Sequence, residues 1–177
     1  NQGFYPKYFG GANFNYRNDK LNIFGSYDGG QWEGLGVLRI DRNFYKDDAF
    51  SGSSDQATER HNKSNWNNLK VGMDYNFSKK DVAGFVVTGS TNPWKNWQNS
   101  YSNLRDPDGQ LNTLFLSDAF NGNKTKNING NFNYKHTFDS TGREISVDLD
   151  KGYYRSDGTN LLTTRIFDAN NEQKGNT

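Results

Sequence analysis

From Asn67 to Phe77 the chain alternates without a break: Leu69, Val71, Met73, Tyr75 and Phe77 fall on one side, Asn68, Lys70, Gly72, Asp74 and Asn76 on the other. A helix would scatter these residues around its circumference, whereas a strand sorts them onto two faces. The same alternation runs from Asn127 to Phe138, where Ile128, Gly130, Phe132, Tyr134, His136 and Phe138 oppose Asn127, Asn129, Asn131, Asn133, Lys135 and Thr137. It recurs from Arg143 to Tyr154, with Ile145, Val147, Leu149 and Tyr153 against Glu144, Ser146, Asp148 and Asp150. Shorter copies cover Ala12–Arg17, Leu21–Tyr27 and, less cleanly, Val82–Thr88. The chain is therefore expected to be all-β.

Composition removes the competing classes. No apolar run exceeds three residues, as in Phe85-Val86-Val87, so no transmembrane helix fits. With 26 asparagines and few Ala, Leu or Glu, a long helical coiled coil is excluded. There is no cysteine, hence neither a disulfide nor a thiolate metal site. The 21 basic residues are balanced by 20 acidic ones, so nothing points to a nucleic-acid partner.

Reversals are expected at Arg17-Asn18-Asp19-Lys20, Ser78-Lys79-Lys80-Asp81 and Asp139-Ser140-Thr141-Gly142, since Asn, Asp and Gly tolerate tight turns. At the other ends, residues 46–64 and 91–112 are long, polar and rich in Asn, Ser, Asp and Gly, and read as long loops. Short turns on one side and long loops on the other are the pattern of an antiparallel transmembrane β-barrel section, with short periplasmic turns, long extracellular loops and about six to eight long strands. The three clean segments are long enough to cross a hydrocarbon core at a tilt near 45°. Tyr75 and Phe77, Tyr134 and Phe138, and Tyr153 and Tyr154 would form girdles at its boundaries. Lys151 argues against this, because it falls on the Ile145–Leu149 side, where a cation at mid-bilayer costs roughly 2–4 kcal/mol. Either it snorkels to the interface or the strand is shifted there.

Period two alone does not separate lipid from a protein core, so a soluble secreted β-sandwich with a binding or adhesion role stays open. A self-contained eight-stranded barrel also stays open, although the polar stretch Asn170–Thr177 lacks the aromatic end of a closing strand. The opening Asn1-Gln2-Gly3 and that polar close make residues 1–177 read as part of one barrel domain, an internal piece of a longer chain.

The stretch Asn131–Asp150, reading Asn-Phe-Asn-Tyr-Lys-His-Thr-Phe-Asp-Ser-Thr-Gly-Arg-Glu-Ile-Ser-Val-Asp-Leu-Asp, resembles a signature of the outer-membrane β-barrel family of TonB-dependent receptor-like proteins of Bacteroidetes. Gly11–Gly25 is similar to an early hairpin of that family and Asn68–Lys80 to a middle one, so the likeness spans most of residues 9–155. Lys151-Gly152 stands where the family pattern has an aromatic or small polar pair. The resemblance implies a large barrel, commonly of 22 strands, in the bacterial outer membrane. It also implies a plug domain, contact with the TonB complex, a surface lipoprotein partner, and uptake or binding of a substrate.

Chemistry is sparse. His61 and His136 fall in an expected outer loop and near a strand end, and no Ser/His/Asp arrangement can be built around them. Asp106-Pro107-Asp108-Gly109 carries a trace of a calcium loop without the further ligands, and reads as a turn. Gly29-Gly30, Gly34 and Gly36 read as bends or bulges of a long strand, not a phosphate cradle. Asp148 and Asp150 share a face, as a glycosidase pair would, but are explained more simply as charges facing Lys70, Lys135 or Arg39. No enzyme, cofactor or metal is expected. One segment, Pro93–Tyr101, has a binding character: Trp94, Trp97 and Tyr101 on a polar loop would stack on a sugar or anchor a partner, or else continue a strand and pack on a neighbour.

Overall fold

The structure is a computed structural model that describes Tyr5, residues 7–139 and residues 141–177. Seven strands follow one another: β1 (Tyr8–Arg17), β2 (Leu21–Lys46), β3 (Ala49–Asn76), β4 (Asp81–Arg105), β5 (Leu111–Thr137), β6 (Glu144–Asp168) and a short β7 (Gln173–Asn176). They form one antiparallel sheet in sequence order, each strand paired with the next. All six alternating segments fall in β1 to β6, three of them overrunning the strand by one residue at Phe77, Phe138 and Arg143, and the described residues hold no helix. Ser140, in one of the expected turns, lies outside the described residues, as do Asn1, Gln2 and Gly3.

The expected long loops are strands. Residues 49–64 belong to β3 and 91–105 to β4, and the hairpins close at both ends through short turns. Asp47 and Asp48, with φ of 51° and 63°, make a two-residue reversal of the type whose twist suits a hairpin. At the next turn on that side the Asp106 carboxylate accepts from the amides of Asp108 (3.0 Å) and Gln110 (2.8 Å), so this carboxylate is committed to its own turn. Asp168 repeats the device with the amides of Asn170 and Glu172, both at 2.9 Å. At the opposite end Asn18 accepts from Lys20 and Leu21, and Ser78 from Lys80 and Asp81. Polar composition misled because Asn, Ser and Gly disfavour strands only weakly. A neighbour on each side satisfies the backbone and overrides that preference.

Cross-strand register sorts the sheet into two faces. On the Val71 face, successive rungs read Tyr16–Ile23–Met73–Phe85–Phe132–Leu149 and Ala12–Tyr27–Leu69–Gly89–Ile128–Tyr153. These form an apolar band that begins near the Asn18, Ser78 and Asp139 turns. Beyond it the rung Gly29–Asn67–Thr91–Lys126–Arg155 turns polar. The opposite, Asn131 face carries Asn22, Asp74, Asn133 and Asp148, and farther along Asn62, Asn96 and Asn121.

A single sheet has no second layer to cover it. Ala57 is the one buried hydrophobic side chain among the described residues, and Val71, Met73, Phe132 and Val147 are each 43–44% exposed. The edges are open as well. Among the described residues β1 pairs only with β2, and β6 meets the C-terminal segment only from Thr164 to Asp168, so Glu144–Thr163 of β6 has one unpaired side.

Several expectations are corrected in detail. The Gly29–Gly36 region of β2 is paired in regular register, and the register shifts fall instead at Phe44/Tyr45, Leu104/Arg105 and Ile166/Phe167. Gly30 is there for room, since a Cβ would run into the Trp66 ring and the Tyr8 carbonyl. The β5–β6 ladder holds its register through Lys151, which faces Gly130 on the apolar face, so no strand shift removes this cation. Tyr153 lies on that face, whereas Tyr154 turns to the other, opposite Asn127. The segment Thr159–Phe167 continues β6.

Candidate functional site

The candidate residues Trp94, Trp97 and Tyr101 all lie in β4, not on a loop, and period two separates them. Trp97 and Tyr101 stand on the Val71 face, opposite His61 and Ala57, while Trp94 faces the other way, opposite Ser64. They do not form one site.

Trp97 belongs to a row that crosses the sheet beyond the apolar band, in the rung Leu35–His61–Trp97–Phe120–Leu161. Ring centroids are 5.2 Å apart between His61 and Trp97 and 5.6 Å between Trp97 and Phe120, with Tyr5 stacked on His61 at 5.0 Å. His61 is oriented by Glu33: its Nε2–H donates to Oε1 at 2.8 Å, while Lys63 reaches Oε2 at 3.3 Å. The hydrogen bond from His61, and then that from Lys63, holds the Glu33 carboxyl below the usual carboxylate range against partial burial. Sequence reading missed this constellation, because Glu33, His61 and Trp97 come from three strands and meet only through register.

Beside this row two shallow clefts adjoin on the same face. One, about 360 Å³, is lined by Leu35, Val37, His61 and Trp97; the other, about 350 Å³, by Arg39, Ala57, Tyr101, Leu116 and Arg165. The Arg165 guanidinium donates to Asp118 at 2.8 Å, and one wall thus carries a fixed ion pair. These grooves have the mixed aromatic and charged lining that polyhydroxylated or peptidic ligands meet.

Trp94 shares the Asn131 face with Trp32, one strand apart across Ser64. Next to it the β3–β4 ladder lapses at Asn65 and Trp66, opposite Asn92 and Pro93, where proline has no N–H to donate. The rest of this face is a hydrogen-bonded amide network. Asn96, 7% exposed, donates to Asn62 at 2.7 Å and accepts from Gln98 and Asn121. Farther down, Asn131 donates to Asp150 at 2.8 Å and Asn22 to Asp74 at 3.0 Å.

The expected charge partners of Asp148 and Asp150 are otherwise engaged. Lys135 pairs with Glu144, Lys70 lies over the Phe24 ring, and Arg39 is on the opposite face. No cluster of three His, Asp or Glu side chains able to hold a metal occurs among the described residues. His61 is a strand residue and not a loop one, whereas His136 sits near the strand end as expected, its Nδ1 2.6 Å from Asp81, which also accepts from Tyr134 at 2.8 Å. No protein-family model and no curated protein sequence matches this chain.

Proposed function

We propose that this chain is a section of the wall of an outer-membrane β-barrel of the TonB-dependent receptor-like kind, working in uptake or binding of a substrate at the bacterial surface. One observation carries this reading: a single-layer sheet exposes a continuous apolar band on one face, while the other is an asparagine-rich polar network. In water such a band is a liability, whereas hydrocarbon is its natural partner. With their flanking aromatics, Leu69–Phe77 and Ile128–Phe138 have the nine and eleven residues that cross a hydrocarbon core when tilted. Tyr75 packs edge-on against Phe77 at 4.9 Å, and His136 against Phe138 at 4.7 Å, giving the band an aromatic lower rim.

The open edges of β1 and β6 support a larger ladder, since unpaired strand edges are normally paired or covered. In this reading further strands of the barrel continue the sheet and a plug fills the lumen. The resemblance adds the TonB complex and a surface lipoprotein as partners. The Asn131 face becomes the lumen wall, which places Trp94 and Trp32 on the substrate side and Trp97 and Tyr101 on the outside. The strands extend the wall well beyond the bilayer, so specificity resides on strand faces and not in floppy loops.

Because the chain has no cysteine, single-cysteine spin labels test this directly. Labels at Leu69, Val71 and Met73 in reconstituted vesicles are expected to be relaxed by oxygen, which concentrates in lipid. Labels at Asn68, Lys70 and Asp74 should respond to a water-soluble nickel chelate. A chain that is monodisperse in plain buffer, with labels at Val71 and Met73 accessible to nickel, overturns the proposal.

A further inference from the structure

On the Val71 face, five cations gather within three rungs of the upper limit of the apolar band: Lys63, Lys95, Lys124, Lys126 and Arg155. Two of the contacts between them are like-charge pairs placed directly opposite, Lys63 with Lys95 and Lys126 with Arg155. Direct opposition of like charges destabilises a sheet unless something compensates it. The two carboxylates nearby do so only in part. Glu33 is engaged by His61 and Lys63, and Asp157 accepts two bonds from Arg155 Nε at 2.9 and 3.0 Å. Lys95, Lys124 and Lys126 are exposed on adjacent strands; Lys124 stands opposite Asp157, which is held by Arg155, and among the described residues none of the three makes an ion pair or hydrogen bond through its ammonium.

We propose that this row binds the phosphate groups of lipid headgroups in the leaflet that abuts the upper end of the band. The inference rests on the membrane reading above and deepens it by naming a lipid class. Position argues for lipid over a free anion: the ammonium groups begin one rung above Ile128 and Tyr153, at the depth where headgroup phosphates sit above acyl chains. One rung beyond Lys63 and Lys95, the Trp97 row offers flat faces to whatever the headgroup carries. The occupant is therefore an anionic, phosphate-bearing lipid, with three lysines as its principal donors.

The test reconstitutes the protein in phosphatidylcholine vesicles with and without an equal part of phosphatidic acid. It is then re-extracted in mild detergent, and the two retained lipids are counted by mass spectrometry. The wild type is expected to retain phosphatidic acid preferentially, on the order of fivefold for each lysine that engages. The variant K95Q/K124Q/K126Q is expected to lose that preference, and K95R/K124R/K126R to keep it. An equal ratio in wild type and glutamine variant, or release of the lipid by inorganic phosphate alone, overturns the inference. Insertion itself is read separately, from oxygen accessibility of a Val71 label in phosphatidylcholine alone. A protein that inserts without lipid preference sinks only the phosphate site, whereas one that fails to insert sinks both proposals.

Discussion

The ring of Phe24 lies over Gly72, its direct partner across the β2–β3 ladder, and fills the space where any Cβ of residue 72 would stand. Lys70 covers the same ring with its ammonium 5.6 Å from the centroid. Phe14 stands over its own partner Gly25 in the same manner on the other face. A glycine in a strand interior is entropically costly, so these sites are held by aromatic cover. Gly72→Val is expected to destabilise by about 1–3 kcal/mol, since the ring must leave its position. Denaturant unfolding checks this, and the double variant with Phe24→Ala should recover part of the loss, which a glycine kept for backbone reasons alone would not allow.

The Asp47-Asp48 reversal keeps two non-glycine residues at positive φ. The second central position of such a turn prefers glycine. Asp48→Gly is therefore expected to stabilise the β2–β3 hairpin by roughly 0.5–1 kcal/mol, and Asp48→Val to weaken it. An unchanged unfolding midpoint in both would argue against this turn geometry.

Glu33 titrates below its ordinary range because the His61 hydrogen bond, and secondly Lys63, favour its charged form. A carboxylate whose folded pKa is depressed contributes stability above its unfolded pKa and loses it as pH falls through the folded one. The Tyr5–His61–Trp97 stack should thus hold while Glu33 is charged and loosen only on acidification below the usual carboxylate range, as pH falls through the lowered Glu33 pKa. Tryptophan fluorescence should follow that loosening, and Glu33→Gln should already show the acid-state signal at neutral pH. A Glu33→Gln protein with the wild-type spectrum and pH response would refute the coupling.

Lys151 discriminates the environment of the Val71 face. It stands among Leu149, Tyr153 and Phe132, opposite Gly130, where a Cβ would meet nothing within 4 Å. Against lipid, Lys151→Leu is expected to raise stability in vesicles, by up to roughly 2–4 kcal/mol if the residue lies near mid-bilayer. On a water-facing sheet the same change should stay within about 0.5 kcal/mol. Reversible unfolding from vesicles distinguishes the two.

Asn96 ties three strands together on the polar face through Asn62 and Asn121. Truncation to alanine leaves those amides unmatched in a half-buried setting, for an expected loss of about 1–3 kcal/mol. Asn96→Asp, which keeps the acceptor that Gln98 and Asn121 use, should lose less.

Much of this architecture was legible residue by residue. Leu69 to Phe77 and Ile128 to Phe138 alternate in a way that only a strand satisfies, and Asn18 and Ser78 mark turns because their side chains cap the following amides. Side-chain alternation and turn capping act within a few residues, so neighbours along the chain suffice to determine them. How far the strands run was not local: Ser53–Ser64 and Thr91–Arg105 look like loops until an adjacent strand supplies hydrogen bonds to each backbone. The parting of Trp94 from Tyr101 follows from period two once both are placed in one strand, but the pairing of Trp97 with His61 and the meeting of Lys63 with Lys95 came from the three-dimensional register alone. Register is decided by the sum of many cross-strand contacts and by turn length, and shifting it by a single residue would turn every one of those side chains to the other face.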